Sequence, residues 1–199
     1  MKYYPIHISI VDRSCLVVGG GKVALRKVSK LIKAGAAVTV ISKELTPELK
    51  ELKDKDVFIH RDRHYQKDDV KDFFMVFAAT NDQCVNGLIT EEAQHYGVLA
   101  NSINGVDEGD FILPASCQVG DLHLGITTQG QSPALSAALR RYFIKKLSAL
   151  TPELIDEVAL KRKQMLNSND EDCEREMMEM VDEIIERIET NKIDLNTNK

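Results

Sequence analysis

The residues whose types and spacing most directly suggest chemistry are Leu16-Val-Val-Gly19-Gly20-Gly21-Lys22-Val23-Ala24. This is a Gly-x-Gly-x-x-Ala pattern placed after an apolar run and before a helical stretch, where backbone amides can cradle a diphosphate. Gly19 permits a tight turn, Gly21 lets the main chain approach a pyrophosphate, and Ala24 keeps the helix close to a sheet. Free N–H groups from Gly20 through Lys22 and Val23, with the positive end of the helix dipole, would hold the anion. A purely structural glycine turn is the alternative. The next apolar run ends Ile41-Ser42-Lys43-Glu44. An acidic residue at this point binds the ribose hydroxyls of NAD. Glu44 lies slightly late for that role, Ser42 can hydrogen-bond a ribose, and Lys43 tolerates an added phosphate. NAD is favoured, and NADP stays open. Thr80, Asn81 and Asn101, at the ends of later apolar runs, are expected to line the same crevice.

Such residues need elements to hold them. Apolar positions 24, 25, 28, 31 and 32 within Val23–Ala34 have helical spacing. Ala37–Ile41, Val57–His60, Phe73–Ala79 and Val98–Ala100 read as strands, with a helix from about Gln83 to Tyr96 that stops at Gly97. Strand and helix in alternation predict a doubly wound parallel sheet, an α/β Rossmann-like domain over residues 1–110. The opening stretch from Met1 to Ser14 also alternates like a strand, broken by Pro5 and Asp12. Beyond it, Phe111–Cys117 and Leu122–Thr128 read as a hairpin around Val119-Gly-Asp121. Ser132-Pro133 starts a helix to about Leu150, and Thr151-Pro152 starts the helical C-terminal domain over 151–199.

Composition narrows the classes of function. With 43% hydrophobic and 29% charged residues the chain has an ordinary globular balance. A net charge of −5 argues against nucleic acid as a partner, although Arg140, Arg141, Lys145 and Lys146 could form a local basic cleft. No apolar run approaches the ~18 residues of a membrane span, and the N-terminus lacks a continuous apolar leader, so a cytoplasmic protein with no membrane partner is expected. Cys15, Cys84, Cys117 and Cys173 form no Cys-x-x-Cys pair, so buried reduced thiols are expected and no metal ligand set is fixed.

Taken in order, Val18-Gly-Gly-Gly-Lys-Val-Ala-Leu-Arg-Lys27, Ala34-Gly-Ala-Ala-Val-Thr-Val40, Phe77-Ala-Ala-Thr-Asn81, Phe111-Ile-Leu-Pro-Ala115 and Gly125-Ile-Thr-Thr-Gln-Gly-Gln-Ser-Pro133 resemble the precorrin-2 dehydrogenase family. This is the dehydrogenase and ferrochelatase portion of siroheme synthase, in its short free-standing form. The likeness runs from about residue 3 to residue 150. It implies oxidation of precorrin-2 to sirohydrochlorin with NAD, insertion of Fe2+ into that product in some members, and a homodimer whose dimerisation region is residues 111–150. A polyanionic tetrapyrrole needs concentrated cations, and Arg26, Lys27, Arg140 and Arg141 are candidates, beside the hydroxyl-rich turn of Thr127, Thr128 and Ser132. For each, solvation of a helix face or simple helix capping is the plain alternative. In the family, a loop aspartate is the proposed general base. The matching position here is Asn104, and an amide accepts no proton. Dehydrogenation is therefore favoured over metal insertion. Asp107, Glu108, Asp110 and His123 are candidates to replace the missing carboxylate. Two readings of other classes compete: a non-catalytic dinucleotide sensor and a porphyrinoid-binding scaffold.

Overall fold

The structure is a computed structural model describing residues 3–105, 108–167 and 171–190. It divides into two compact units, Met1–Ile112 and Leu113–Lys199.

The first unit is built on strands β1 (Ser14–Val18), β2 (Ala37–Ile41), β3 (Ile59–Arg61), β4 (Met75–Ala78) and β5 (Leu99–Ser102). They pair in parallel in the order β3-β2-β1-β4-β5, as the alternating pattern predicts. Side-chain alternation splits the core in two. Cys15, Val17, Val38, Val40, Met75 and Phe77 pack on one face, with Ala24, Val28 and Leu31 of helix α1 (Lys22–Lys33) and Leu49 of α2 (Pro47–Asp54). Leu16, Val18, Val76, Ala78 and Ala100 pack on the other, with Ile89 and Ala93 of α3 (Gln83–Tyr96). Each fully buried Val or Leu contributes roughly 1.5–3 kcal/mol, so burial is the main force that holds the helices to both faces of the sheet.

Several details depart from the sequence expectations. Residues 4–10 form no strand, because Tyr4, Ile6 and Ile8 lie exposed with no pairing neighbour among the described residues. Val57 and Phe58 precede β3 instead of opening it, and β5 runs on through Asn101 and Ser102. Helix α2 was not anticipated, although its start is written in the chain: Thr46 accepts a bond from Leu49 N at 3.4 Å and Pro47 occupies the first turn. Cys15 and Cys117 are buried as expected, but Cys84 is exposed in the first turn of α3. Burial pushes the Cys15 thiol up to about 11, so it stays protonated and inert.

The loop between β3 and β4 is closed by a carboxylate. Asp69 accepts from the two terminal guanidinium nitrogens of Arg63 at 2.6 Å each and from the Gln66 N–H at 2.7 Å. Burial works to raise its pKa, but the bonds from Arg63 and Gln66 outweigh that and hold the carboxyl below the usual aspartate range.

The second unit begins with an antiparallel hairpin, β6 (Ala115–Val119) and β7 (Leu122–Ile126). Gly120 turns it at φ +51°, and a Cβ there would lie 3.2 Å from Pro152 Cα. Helix α4 (Pro133–Lys146) packs on the hairpin, and Arg140 Nε donates to the Ser116 carbonyl at 2.6 Å. It ends earlier than expected, tightening into a 3-10 turn over Leu147–Ala149. Helices α5 (Pro152–Asn167) and α6 (Glu171–Thr190) then pair, joined by an ion pair between Lys161 and Glu176. Lys146 Nζ donates to the carbonyls of Ile188 at 3.3 Å and Glu189 at 3.2 Å, placing a cation on the negative end of α6.

The depressed pKa of Asp69 carries a stability consequence. Its contribution is present above the unfolded aspartate pKa and is lost as pH falls through the folded value. Asp69→Asn should cost about 1–3 kcal/mol at neutral pH, with the gap to wild type narrowing in acid, as read by urea unfolding at several pH values.

Candidate functional site

Each glycine of the turn between β1 and α1 has a different reason to be glycine. Gly19 sits at φ +121°, and a Cβ there would lie 2.7 Å from the Ala79 carbonyl carbon. Gly20 faces the loop after β2: a Cβ would lie 2.7 Å from Ser42 Oγ and 2.9 Å from the Glu44 carbonyl carbon. Gly21 faces open space, with nothing within 4 Å of a Cβ position. It is also the N-cap of α1, and no side chain caps that helix and no acidic residue stands in its first turn. The first-turn N–H groups, with Lys22 exposed and Val23 half-buried beside them, are thus left without a side-chain acceptor. This arrangement suits an anion approaching at Gly21. Gly20, by contrast, serves the packing of the neighbouring loop, whose Thr46 N–H bonds the Gly20 carbonyl at 2.9 Å.

At the end of β2, Ser42 Oγ donates to the Glu44 carbonyl at 2.6 Å, so this hydroxyl shapes its own loop. Lys43 is turned aside, with Nζ 3.3 Å from the Asp62 carbonyl and 3.7 Å from its carboxylate. Glu44 is exposed.

At the ends of β4 and β5 the organising residue is one that the sequence reading overlooked. Asn86, on α3, is fully buried. Its Oδ1 accepts from Thr80 N at 3.1 Å and Thr80 Oγ1 at 2.8 Å, while Nδ2 donates to the Thr80 carbonyl and to Asn104 Oδ1, each at 3.0 Å. Its signal was available, since Asn86 shares the apolar stripe of Ile89 and Ala93, where a polar side chain demands partners. Asn104 in turn donates from Nδ2 to the Gln83 carbonyl at 2.9 Å and to Glu108 Oε2 at 2.7 Å. An amide serves these two acceptors at once, which an ionised carboxylate at the same position could not. Asn81 is exposed beside this network. Asp107 lies outside the described residues.

Two expected site residues turn inward. Lys27 is 7% exposed, its Nζ donating to Asn101 Oδ1 at 2.6 Å and lying 4.9 Å from the Phe77 ring centroid. Asn101 Nδ2 donates to the Phe111 carbonyl at 2.9 Å. The expectation that Lys27 offers its charge to a substrate at the surface is corrected: its amine ties α1 to β5. Burial first, then the charges of Arg26 and Lys30, lower its pKa to about 8 from 10.5. Arg26 does lie exposed.

In the second unit, Ser132 is the cap of α4, accepting from Leu135 N at 3.3 Å. Thr128 Oγ1 accepts from Ser132 N at 2.8 Å, and Thr127 Oγ1 accepts from Gln129 N at 3.0 Å, so the hydroxyls of this turn shape its backbone. Arg140 is exposed while its Nε bonds the hairpin, Arg141 is exposed, and His123 is exposed on β7.

Comparison with known proteins adds to this geometry. Residues 6–115 match a family described as "Putative NAD(P)-binding". The chain is 37% identical over 140 residues to a siroheme synthase of Methylococcus capsulatus, covering 70% of this chain and 30% of that protein. It is 39% identical over 140 residues to a siroheme synthase of Thioalkalivibrio sulfidiphilus, covering 70% and 29%. A siroheme synthase of Serratia proteamaculans is 33% identical over 159 residues, covering 80% and 33%. The chain thus spans about a third of the length of the curated relatives it matches. Among solved structures, "SirC, precorrin-2 dehydrogenase" shares the fold with a TM-score of 0.71 at 24% identity, over 94% of this chain and 99% of that one.

The buried lysine makes a measurable prediction. Between pH 8 and 10.5 the unfolded chain holds the Lys27 proton and the folded chain does not, so stability from this residue rises with pH across that window. Relative to Lys27→Met, wild type should gain on the order of 2–3 kcal/mol between those limits, read as the difference between paired chemical denaturations.

Proposed function

The chain belongs to the NAD(P)-binding family that its residues 6–115 match, and from that premise we propose that it oxidises precorrin-2 to sirohydrochlorin with NAD. The observation that carries the cofactor half is the open, uncapped helix start at Gly21, at the carboxyl ends of β1 and β4 where the strand order reverses. The names of the siroheme synthases and of the solved precorrin-2 dehydrogenase support the substrate half.

Bound nicotinamide dinucleotide supplies the two-electron oxidant. The residues of this chain then bind, orient and stiffen. Backbone N–H groups from Gly21 through Val23 hold the diphosphate, since a Cβ-free, unobstructed position is what close approach requires. Glu44, exposed beyond β2, takes the ribose hydroxyls. NAD over NADP is supported by Lys43, whose ammonium is directed to Asp62 instead of standing free for an added phosphate. Thr80 and Asn81 line the crevice, with Thr80 held rigid by Asn86. Arg26 in the first unit, and Arg140 and Arg141 in the second, are exposed guanidinium groups suited to the substrate carboxylates. Thr127 and Thr128 shape the turn that precedes α4 at Ser132. Positioning of this kind can supply much of a rate enhancement without any covalent contribution.

The same reading includes a homodimer formed through residues 111–150. It is supported by a two-stranded sheet with no further strand beside it among the described residues, and by Leu135, Tyr142 and Ile144, which α4 leaves 50%, 39% and 41% exposed. Site of action is proposed to be the cytoplasm. No helix of the described residues is long and apolar enough to cross a membrane. Insertion of Fe2+ into the product is not favoured at Asn104, since its amide is already engaged and accepts no proton.

Mixing the purified protein with precorrin-2 and NAD should produce NADH absorbance in the near ultraviolet together with the sirohydrochlorin spectrum. Binding of both ligands without NADH would replace this reading with the scaffold. The placement of the dinucleotide has its own test in Gly21→Asp. The position has room for the side chain and an N-cap conformation that aspartate favours, so thermal stability should be unchanged or slightly raised. Dinucleotide affinity should fall by at least 100-fold, because the new carboxylate occupies and repels the diphosphate position. Undiminished affinity by calorimetry would show that the dinucleotide binds elsewhere.

A further inference from the structure

Residues 108–110 do not leave the sheet but lie back against β5. Asn101 forms an antiparallel bridge with Gly109, the Asp110 N–H bonds the Ala100 carbonyl at 2.8 Å, and the Ala100 N–H bonds Asp110 Oδ2 at 2.8 Å. Gly109 makes the return possible: φ is +115° and a Cβ would lie 2.6 Å from the Ala100 oxygen. The return sets Glu108 beside Asn104. Glu108 Oε2 accepts from Asn104 Nδ2 at 2.7 Å and from Ser102 Oγ at 3.2 Å. Through Asn104 and the buried Asn86, this carboxylate is wired to Thr80, whose backbone lies against Gly19 of the glycine turn.

Among the described residues, the other carboxylates at the ends of β4 and β5 are committed elsewhere. Asp82 Oδ1 accepts from Cys84 N at 2.9 Å and Val85 N at 3.1 Å, capping α3, and Asp110 is bound to the strand backbone. Glu108 is exposed, and its bonds to Asn104 and Ser102 engage only Oε2. A carboxylate oriented by two donors, with its second oxygen uncommitted beside a dinucleotide crevice, has the geometry of a proton acceptor.

We propose that Glu108 takes up the proton released when the substrate is oxidised, held for that task by Asn104 and Ser102. This rests on the dehydrogenase reading above. Forming the new double bond breaks two substrate bonds to hydrogen. One hydrogen leaves with its electron pair to the nicotinamide ring of NAD+, giving NADH. The other leaves as a proton to Glu108 Oε1, giving the neutral acid, which returns it to water. Asn104 is then the residue that fixes the base, not the base itself.

Glu108→Gln keeps the shape and the acceptor oxygen but not the basicity. It should lower kcat for precorrin-2 oxidation by about 100-fold or more and remove the acidic limb of the kcat–pH profile. KM for precorrin-2, dinucleotide affinity by calorimetry and melting temperature should stay at wild-type values. Moving the carboxylate back in Asn104→Asp/Glu108→Gln should recover at least tenfold of the loss. Should Glu108→Gln lower the melting temperature, Glu108→Asp decides: recovered turnover supports the role, and turnover as low as that of Glu108→Gln overturns it. Wild-type kcat with an unchanged pH profile in Glu108→Gln would overturn the assignment while leaving the dehydrogenase intact. A wild-type protein that forms no NADH from precorrin-2 at any pH would overturn both.

Discussion

Two carbonyl groups pressed against a glycine turn set the terms for the rest of the first unit. Those of Ala79 and Glu44 approach Gly19 and Gly20 so closely that no side chain could stand at either position. The turn is therefore closed on the sides of β4 and of the β2 loop and open only at Gly21, where α1 begins without a side-chain cap. A helix start left with unpaired N–H donors is a local cost to the free protein. It is also the feature that an anionic ligand can satisfy, so a defect in helix stability becomes a binding site.

The same economy of polar groups governs the strand ends. Asn86 is fully buried, and both ends of its amide are used, on Thr80 and on Asn104. A satisfied buried network of this kind rigidifies what it touches, whereas a half-satisfied one would be worse than an apolar core. Its effect is to hold the loop after β4 and the loop after β5 in a single register beside the glycine turn. Lys27 and Asn101 make a second such link between α1 and β5, at the cost of burying an amine whose pKa falls to about 8.

The second unit solves a different problem. A hairpin alone is marginal in water, and here it is backed by α4, with Arg140 bonded to the Ser116 carbonyl and Gly120 set against the start of α5. Hydroxyls that could face a ligand are instead spent on turn and cap geometry at Thr127, Thr128 and Ser132. That is the usual outcome for Ser and Thr before a helix, since the unpaired N–H groups of the first turn compete for them.

What the chain alone determined was everything that periodicity and backbone geometry encode. The parallel sheet, the helix from Lys22, the hairpin and the strand–glycine–helix junction follow from alternation, helical spacing and glycine's freedom at positive φ, all of which are local. Residues 4–10 mislead the same logic, since alternation promises a strand only where a partner edge exists. Tertiary structure decided which way each polar side chain turns. That Lys27 faces inward to Asn101, that Lys43 is directed to Asp62, and that Glu108 meets Asn104 were not legible. Each depends on bonds between groups brought together by the sheet, from 4 to 74 residues apart in sequence, and the lowest-energy partner for a charge is a three-dimensional property.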